Sequence, residues 1–136
     1  MNRRKAREYA LQMLFQSEFS GADGQRKVPE GIGPGKDDKE ETTRFAMDIC
    51  RGTLNHLEEI DGVIGEAAEH WELGRMAAVD RNILRFAVYE ILYRKDIPAA
   101  VTINEALEIA KKYSSLESVP FINGLLDRVA KARAKV

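Results

Sequence analysis

Apolar positions recur at helical spacing along most of the chain, and the pattern reads as six helices with no strands. The first runs from Arg3 to Phe19, with Ala6, Ala10, Met13 and Leu14 at i, i+4, i+7 and i+8 on one face. A second is predicted over Lys39 to Leu57, with the stripe Ala46, Ile49, Cys50, Thr53 and Leu57. The third carries Ile60, Val63, Ile64, Ala67, Ala68 and Trp71, and is weakened by Gly62 and Gly65 at about 1 kcal/mol each against alanine. The fourth, Asp80 to Lys95, is apolar at nine of the twelve positions from Asn82 to Tyr93, so it belongs in the middle of the structure. Asp80 is its candidate N-cap, and Asp96-Ile97-Pro98 closes it, because a residue before proline avoids the helical region. Thr102-Ile103-Asn104-Glu105 has the form of a capping box opening a fifth helix. A sixth starts near Pro120, on the stripe Ile122, Leu125, Leu126, Val129 and Ala130. The fold class is therefore all-α, a single domain over 1–136 built of two helical sub-bundles that share the apolar fourth helix.

The one long break is 20–38, with five glycines and two prolines and almost nothing apolar. It cannot offset its ordering entropy, and we expect a flexible loop there. The whole chain is 136 residues, 44% apolar and 32% charged, an ordinary globular composition with room for one core. No apolar run approaches the roughly 18 residues of a membrane span, and the N-terminus lacks the apolar stretch of a signal peptide. Cys50 is the only cysteine and cannot form an internal disulfide, and its place on the second stripe reads as core. His56 and His70 are the only histidines, fourteen apart, without the spacing of a metal site. These observations point to a cytoplasmic protein with no metal or cofactor.

Charge changes the picture more than composition does. The formal net charge of −1 argues against a nucleic-acid ligand, but it is an average. Residues 1–16 hold four basic groups and one acidic, residues 111–136 six and two, and residues 17–110 eleven and nineteen, giving +3, +4 and −8. No phosphate loop, nucleophile elbow or His–carboxylate pair at metal spacing is present, so no enzyme is indicated. The basic ends are the better candidate site. Arg3, Arg4, Lys5 and Arg7 open the first helix, where guanidinium forks and backbone N–H groups both suit phosphate. Lys111 and Lys112 precede Phe121 and Asn123, and Arg128 follows. Phenylalanine offers a stacking surface for an unpaired base, and asparagine a base-edge or backbone contact. Each feature has an ordinary alternative: terminal cations that only solubilise, a phenylalanine that anchors a helix in the core, an exposed amide.

The residues also carry a family resemblance. Arg3-Arg4-Lys5-Ala6-Arg7-Glu8 with Ala10-Leu11-Gln12-Met13-Leu14-Phe15 resembles the opening of the bacterial transcription antitermination factor NusB family. So do Asp80-Arg81-Asn82-Ile83-Leu84-Arg85 running into Tyr89-Glu90-Ile91-Leu92, then Ile103-Asn104-Glu105-Ala106 with Glu108-Ile109-Ala110-Lys111, and Phe121-Ile122-Asn123-Gly124-Leu125-Leu126-Asp127. The resemblance implies two three-helix bundles and no catalysis. It implies binding to the boxA element of nascent ribosomal RNA, together with NusE, a small-subunit ribosomal protein, in an antitermination complex on RNA polymerase. It places RNA contacts at Arg3, Arg4, Lys5, Arg7 and Phe121, and a partner contact at Asp80. Glu69 and Glu72 join Asp80 on electrostatic grounds, since an acidic face suits a basic partner. Some members form homodimers that cover the RNA face. The alternative function is a protein-interaction adaptor of the transcription machinery whose acidic body does the binding.

Overall fold

A computed structural model describes residues 2–19, 32–69 and 71–134. Its first helix, α1 (Arg3–Phe19), is capped by Asn2, whose side-chain oxygen accepts from the Lys5 backbone N–H at 2.9 Å. The predicted face is the buried one: Ala6, Ala10, Leu11, Met13 and Leu14 pack against α2 (Glu40–Asn55) through Phe45, Ala46, Ile49 and Cys50. Glu40 and Glu41 sit in the first turn of α2, where negative charge complements the helix dipole. Residues 20–31 of the expected loop lie outside the described residues. The part that is described is tied down rather than loose. Gly33 adopts φ +103° against Met13, and Asp38 accepts from the Tyr9 hydroxyl and the Gly35 backbone N–H, each at 2.9 Å.

Three more helices gather around α4. α3 (Leu57–Ala67) begins at Leu57, so this residue opens the third helix instead of ending the second. A single 3₁₀ turn (Leu73–Arg75) leads into α4 (Ala78–Tyr93), followed by α5 (Ala99–Tyr113) and α6 (Ser118–Ala134). α4 packs against α3, α5 and α6, as its apolar circumference requires. Its three buried charged residues, Asp80, Arg85 and Glu90, are all satisfied. Arg85 donates from Nε and Nη2 to the two oxygens of Asp61 on α3, at 2.8 and 2.9 Å. Glu90 accepts from the Thr102 hydroxyl of α5 at 2.9 Å. Among the described residues no buried side-chain nitrogen or oxygen lacks a partner. The described chain divides into two compact units, Met1–Asn55 and His56–Val136, holding two and four helices beside the three and three expected.

The helix boundaries correct the sequence reading at three places, two starts and one end. α5 begins at Ala99 with Pro98 as N-cap, so Thr102 lies inside the first turn and forms no capping box. The buried carboxylate of Glu90 holds its hydroxyl, which a local cap would have left exposed. Asp80 likewise is not an N-cap: α4 starts from Ala77 and Asp80 sits within its first turn. Trp71 lies beyond the end of α3 and is 57% exposed, so it leaves the core stripe on which helical spacing put it. The turn responsible is at Glu69, which has φ +55°, a left-handed conformation uncommon for a residue other than glycine.

Candidate nucleic-acid interface

The first unit presents its cations along the capped start of α1. Arg3, Arg4 and Lys5 are exposed. The Arg3 guanidinium carbon stands 4.8 Å from the centre of the Phe45 ring, and that of Arg7 5.2 Å from the same ring. Arg7 differs from its neighbours in being only 1% exposed. It belongs to the packing of α1 on α2 and does not present its guanidinium to an outside phosphate, which corrects its assignment as a contact residue. Arg7 stands three, four and seven residues before Ala10, Leu11 and Leu14, so it falls on the buried face of α1, at the edge where Phe45 receives it.

Lys5 is already engaged. Its ammonium lies 2.9 Å from Asp38 Oδ1. Asp38 is thereby held at about 2, below the ordinary 3.8, chiefly by the Lys5 bond and then by the Gly35 N–H and the Tyr9 hydroxyl. Lys5 is raised in turn, first of all by Asp38.

The second unit carries the aromatic part. Phe121 is partly exposed on the first turn of α6, and Asn123 is exposed. Trp71 stands beside Phe121, ring centres 6.4 Å apart and planes at 71°, an edge-to-face pair that spacing alone did not reveal. Its main-chain N–H donates to the Ala68 carbonyl at 3.3 Å. Arg128 follows Phe121 by two helical turns and donates from Nε to the Ala67 carbonyl at 2.9 Å. Lys111 is exposed and pairs with Glu108 at 3.1 Å, and the Lys112 ammonium lies 5.2 Å from the centre of the Tyr113 ring.

The acidic candidates separate in the same way. Glu69 and Glu72 are exposed, with Glu72 3.6 Å from Arg75. Asp80 is 8% exposed, and its two oxygens accept from Ser114 Oγ and from Ser118 Oγ, the latter at 2.7 Å. Asp80 therefore fastens the α5–α6 connection onto α4, and this corrects its assignment to an outward-facing partner surface.

Among the described residues no three His, Cys, Asp or Glu side chains converge as a metal site, and no helix is long and apolar enough to cross a membrane. The first unit offers the cations of the α1 start, and the second an exposed aromatic pair with Arg128 beside it. The chain belongs to the NusB family, whose family model matches residues 4–131. It is 50% identical to the transcription antitermination protein NusB of Desulfitobacterium hafniense, over 97% of this chain and 90% of that one. Among solved structures, NusB of T. maritima superposes with a TM-score of 0.87 at 41% identity, covering 96% of this chain and 92% of that one. A structure of the antitermination factors NusB and NusE in complex with double-stranded RNA shares the fold, with a TM-score of 0.78 at 22% identity and 96% of each chain covered.

Proposed function

We propose that this protein is a transcription antitermination factor that binds boxA-type single-stranded RNA together with NusE, within an antitermination complex on RNA polymerase, and catalyses no reaction. The observation that carries this reading is the family match from residue 4 to 131, which takes in both the Arg4-Lys5 arm and the Phe121 block. Support also comes from a protein of the same fold whose structure holds NusE and RNA. Arg3, Arg4 and Lys5 supply phosphate contacts from the first unit, and Lys111, Lys112, Phe121, Asn123 and Arg128 supply contacts from the second. Arg7 supports the arm from behind through Phe45. Glu69 and Glu72 face the basic partner. The site of action is the cytoplasm.

Filter binding with a boxA RNA and a scrambled RNA, each with NusE present, tests the reading. Selective retention of boxA is expected, with log affinity falling against log salt by about 0.7 per phosphate contacted. Equal affinity for the two RNAs refutes sequence-specific binding. Substituting Arg3→Ala and Arg4→Ala separates this reading from the adaptor, which keeps its RNA affinity unchanged while still binding its protein partner.

A further inference from the structure

We propose that Trp71 and Phe121 form a single base-binding corner, in which one unpaired base stacks on one ring and meets the other with its edge, while Arg128 takes an adjoining phosphate. The inference rests on the RNA-binding reading above and names the part of the ligand this corner holds. Three observations carry it. Trp71 is 57% exposed, although indole is the largest apolar surface a residue can bury, and its partner ring is itself partly exposed. The two rings meet at 71°, so their planes form a concave angle instead of covering one another, and a planar ligand can lie on one while touching the second. Finally, the corner is held in place from both sides. The left-handed Glu69 ends α3 and turns the chain so that Trp71 reaches α6. Arg128 lies across Gly124, where a Cβ would come within 3.5 Å of its Nη1, and its Nε bond to Ala67 orients the guanidinium next to the same turn. Phe121, Gly124 and Arg128 are spaced i, i+3 and i+7, so ring, gap and cation share one helix face.

The chemistry favours an unpaired base over an apolar peptide side chain. An aromatic corner flanked by a fixed guanidinium suits a flat, polar ring joined to a phosphate, whereas a peptide anchor needs an enclosed apolar pocket. Trp71 is also the only tryptophan, so its fluorescence reports this corner alone.

The experiment is a fluorescence titration of the full chain, with NusE present, by boxA RNA. Saturable quenching of Trp71 is expected. Trp71→Leu is expected to weaken RNA binding by about tenfold or more, and Trp71→Phe to restore most of the loss. The salt slope stays unchanged in Trp71→Leu, because that side chain touches no phosphate, and becomes shallower by about 0.7 in Arg128→Gln. The double variant Trp71→Leu with Phe121→Leu is expected to lose little more than the worse single one, since both rings hold the same base. Thermal melts of each variant exclude unfolding as the cause. RNA that binds wild type and Trp71→Leu equally, without quenching, overturns the corner and leaves the RNA-binding reading standing. A wild-type chain that binds no RNA with NusE present overturns that reading itself. Quenching by NusE alone, with Trp71→Leu weakening NusE but not RNA, also overturns the proposal and makes the corner a protein contact.

Discussion

Replacing Asp61 by alanine isolates the energetics of the second unit. Asp61 receives two N–H groups of Arg85 at 2.8 and 2.9 Å, and the two side chains are 25% and 4% exposed. Its loss leaves a guanidinium among the apolar side chains of α4. Breaking a fully buried pair costs about 3–5 kcal/mol, and the partial exposure of Asp61 lets water relieve some of that, so about 2–3 kcal/mol is expected. For a chain of this length the melting temperature then falls by about 10 °C. Removing both charges, as Asp61→Ala with Arg85→Leu, recovers most of the loss, because an apolar replacement no longer carries a desolvated ion. The remaining cost is that of Asn82, whose Oδ1 accepts from Arg85 Nη1 at 3.2 Å and would lose this donor. Urea unfolding followed by Trp71 fluorescence reads this unit directly, with helical circular dichroism as the second probe. A single-variant cost under about 1 kcal/mol, the size of a surface pair, refutes the reasoning. A double variant as unstable as the sum of the two single ones refutes it equally.

Three further outcomes are expected. Carbon-detected NMR should place the Asp38 midpoint near 2, and Lys5→Ala should move it toward 3.8; a wild-type midpoint near 3.8 would contradict the Lys5 contact. Because its folded value is lowered, the stability Asp38 contributes is present above about pH 4 and is lost as the pH falls through 2. Cys50 is fully buried and its thiol is pushed up to about 12, so a thiol reagent at pH 8 should modify it only in urea. Gly33→Ala should cost about 1–3 kcal/mol in a thermal melt, since φ is +103° and a Cβ there falls 2.9 Å from Met13 Sδ, whereas Gly35→Ala, with open space around it, should change little.

The helices were legible because burial writes a 3.6-residue period into the chain, and α1, α4 and α6 carry their buried residues where that period puts them. Starts were less legible. Asp80 and Thr102 look like local caps because Asp and Thr are capping residues, yet their polar atoms are taken by Ser114, Ser118 and Glu90, partners 12 or more residues away. The site divides along the same line. Exposure of Arg3, Arg4 and Lys5 follows from their charge at the chain start, and that of Asn123 from its place between the buried positions Ile122 and Leu125 of the α6 stripe. The burial of Arg7 depends on Phe45, on another helix. Trp71 escaped because it extends an apolar stripe in perfect register, and only the left-handed turn at Glu69 takes it out of the helix. A tryptophan following a helix rich in glycine was the one available hint.

The contact between Lys5 and Asp38 bears on how the arm meets a charged strand. Two opposite charges 2.9 Å apart form a dipole, and a dipole's field fades with distance faster than that of a single charge. On the RNA-binding reading proposed above, Lys5 therefore adds little to the long-range pull on a strand a Debye length away. Its influence begins at arrival, when a phosphate must displace a carboxylate already in place. On that reading Lys5 would join the strand by an exchange of partners, in which one ion pair replaces another.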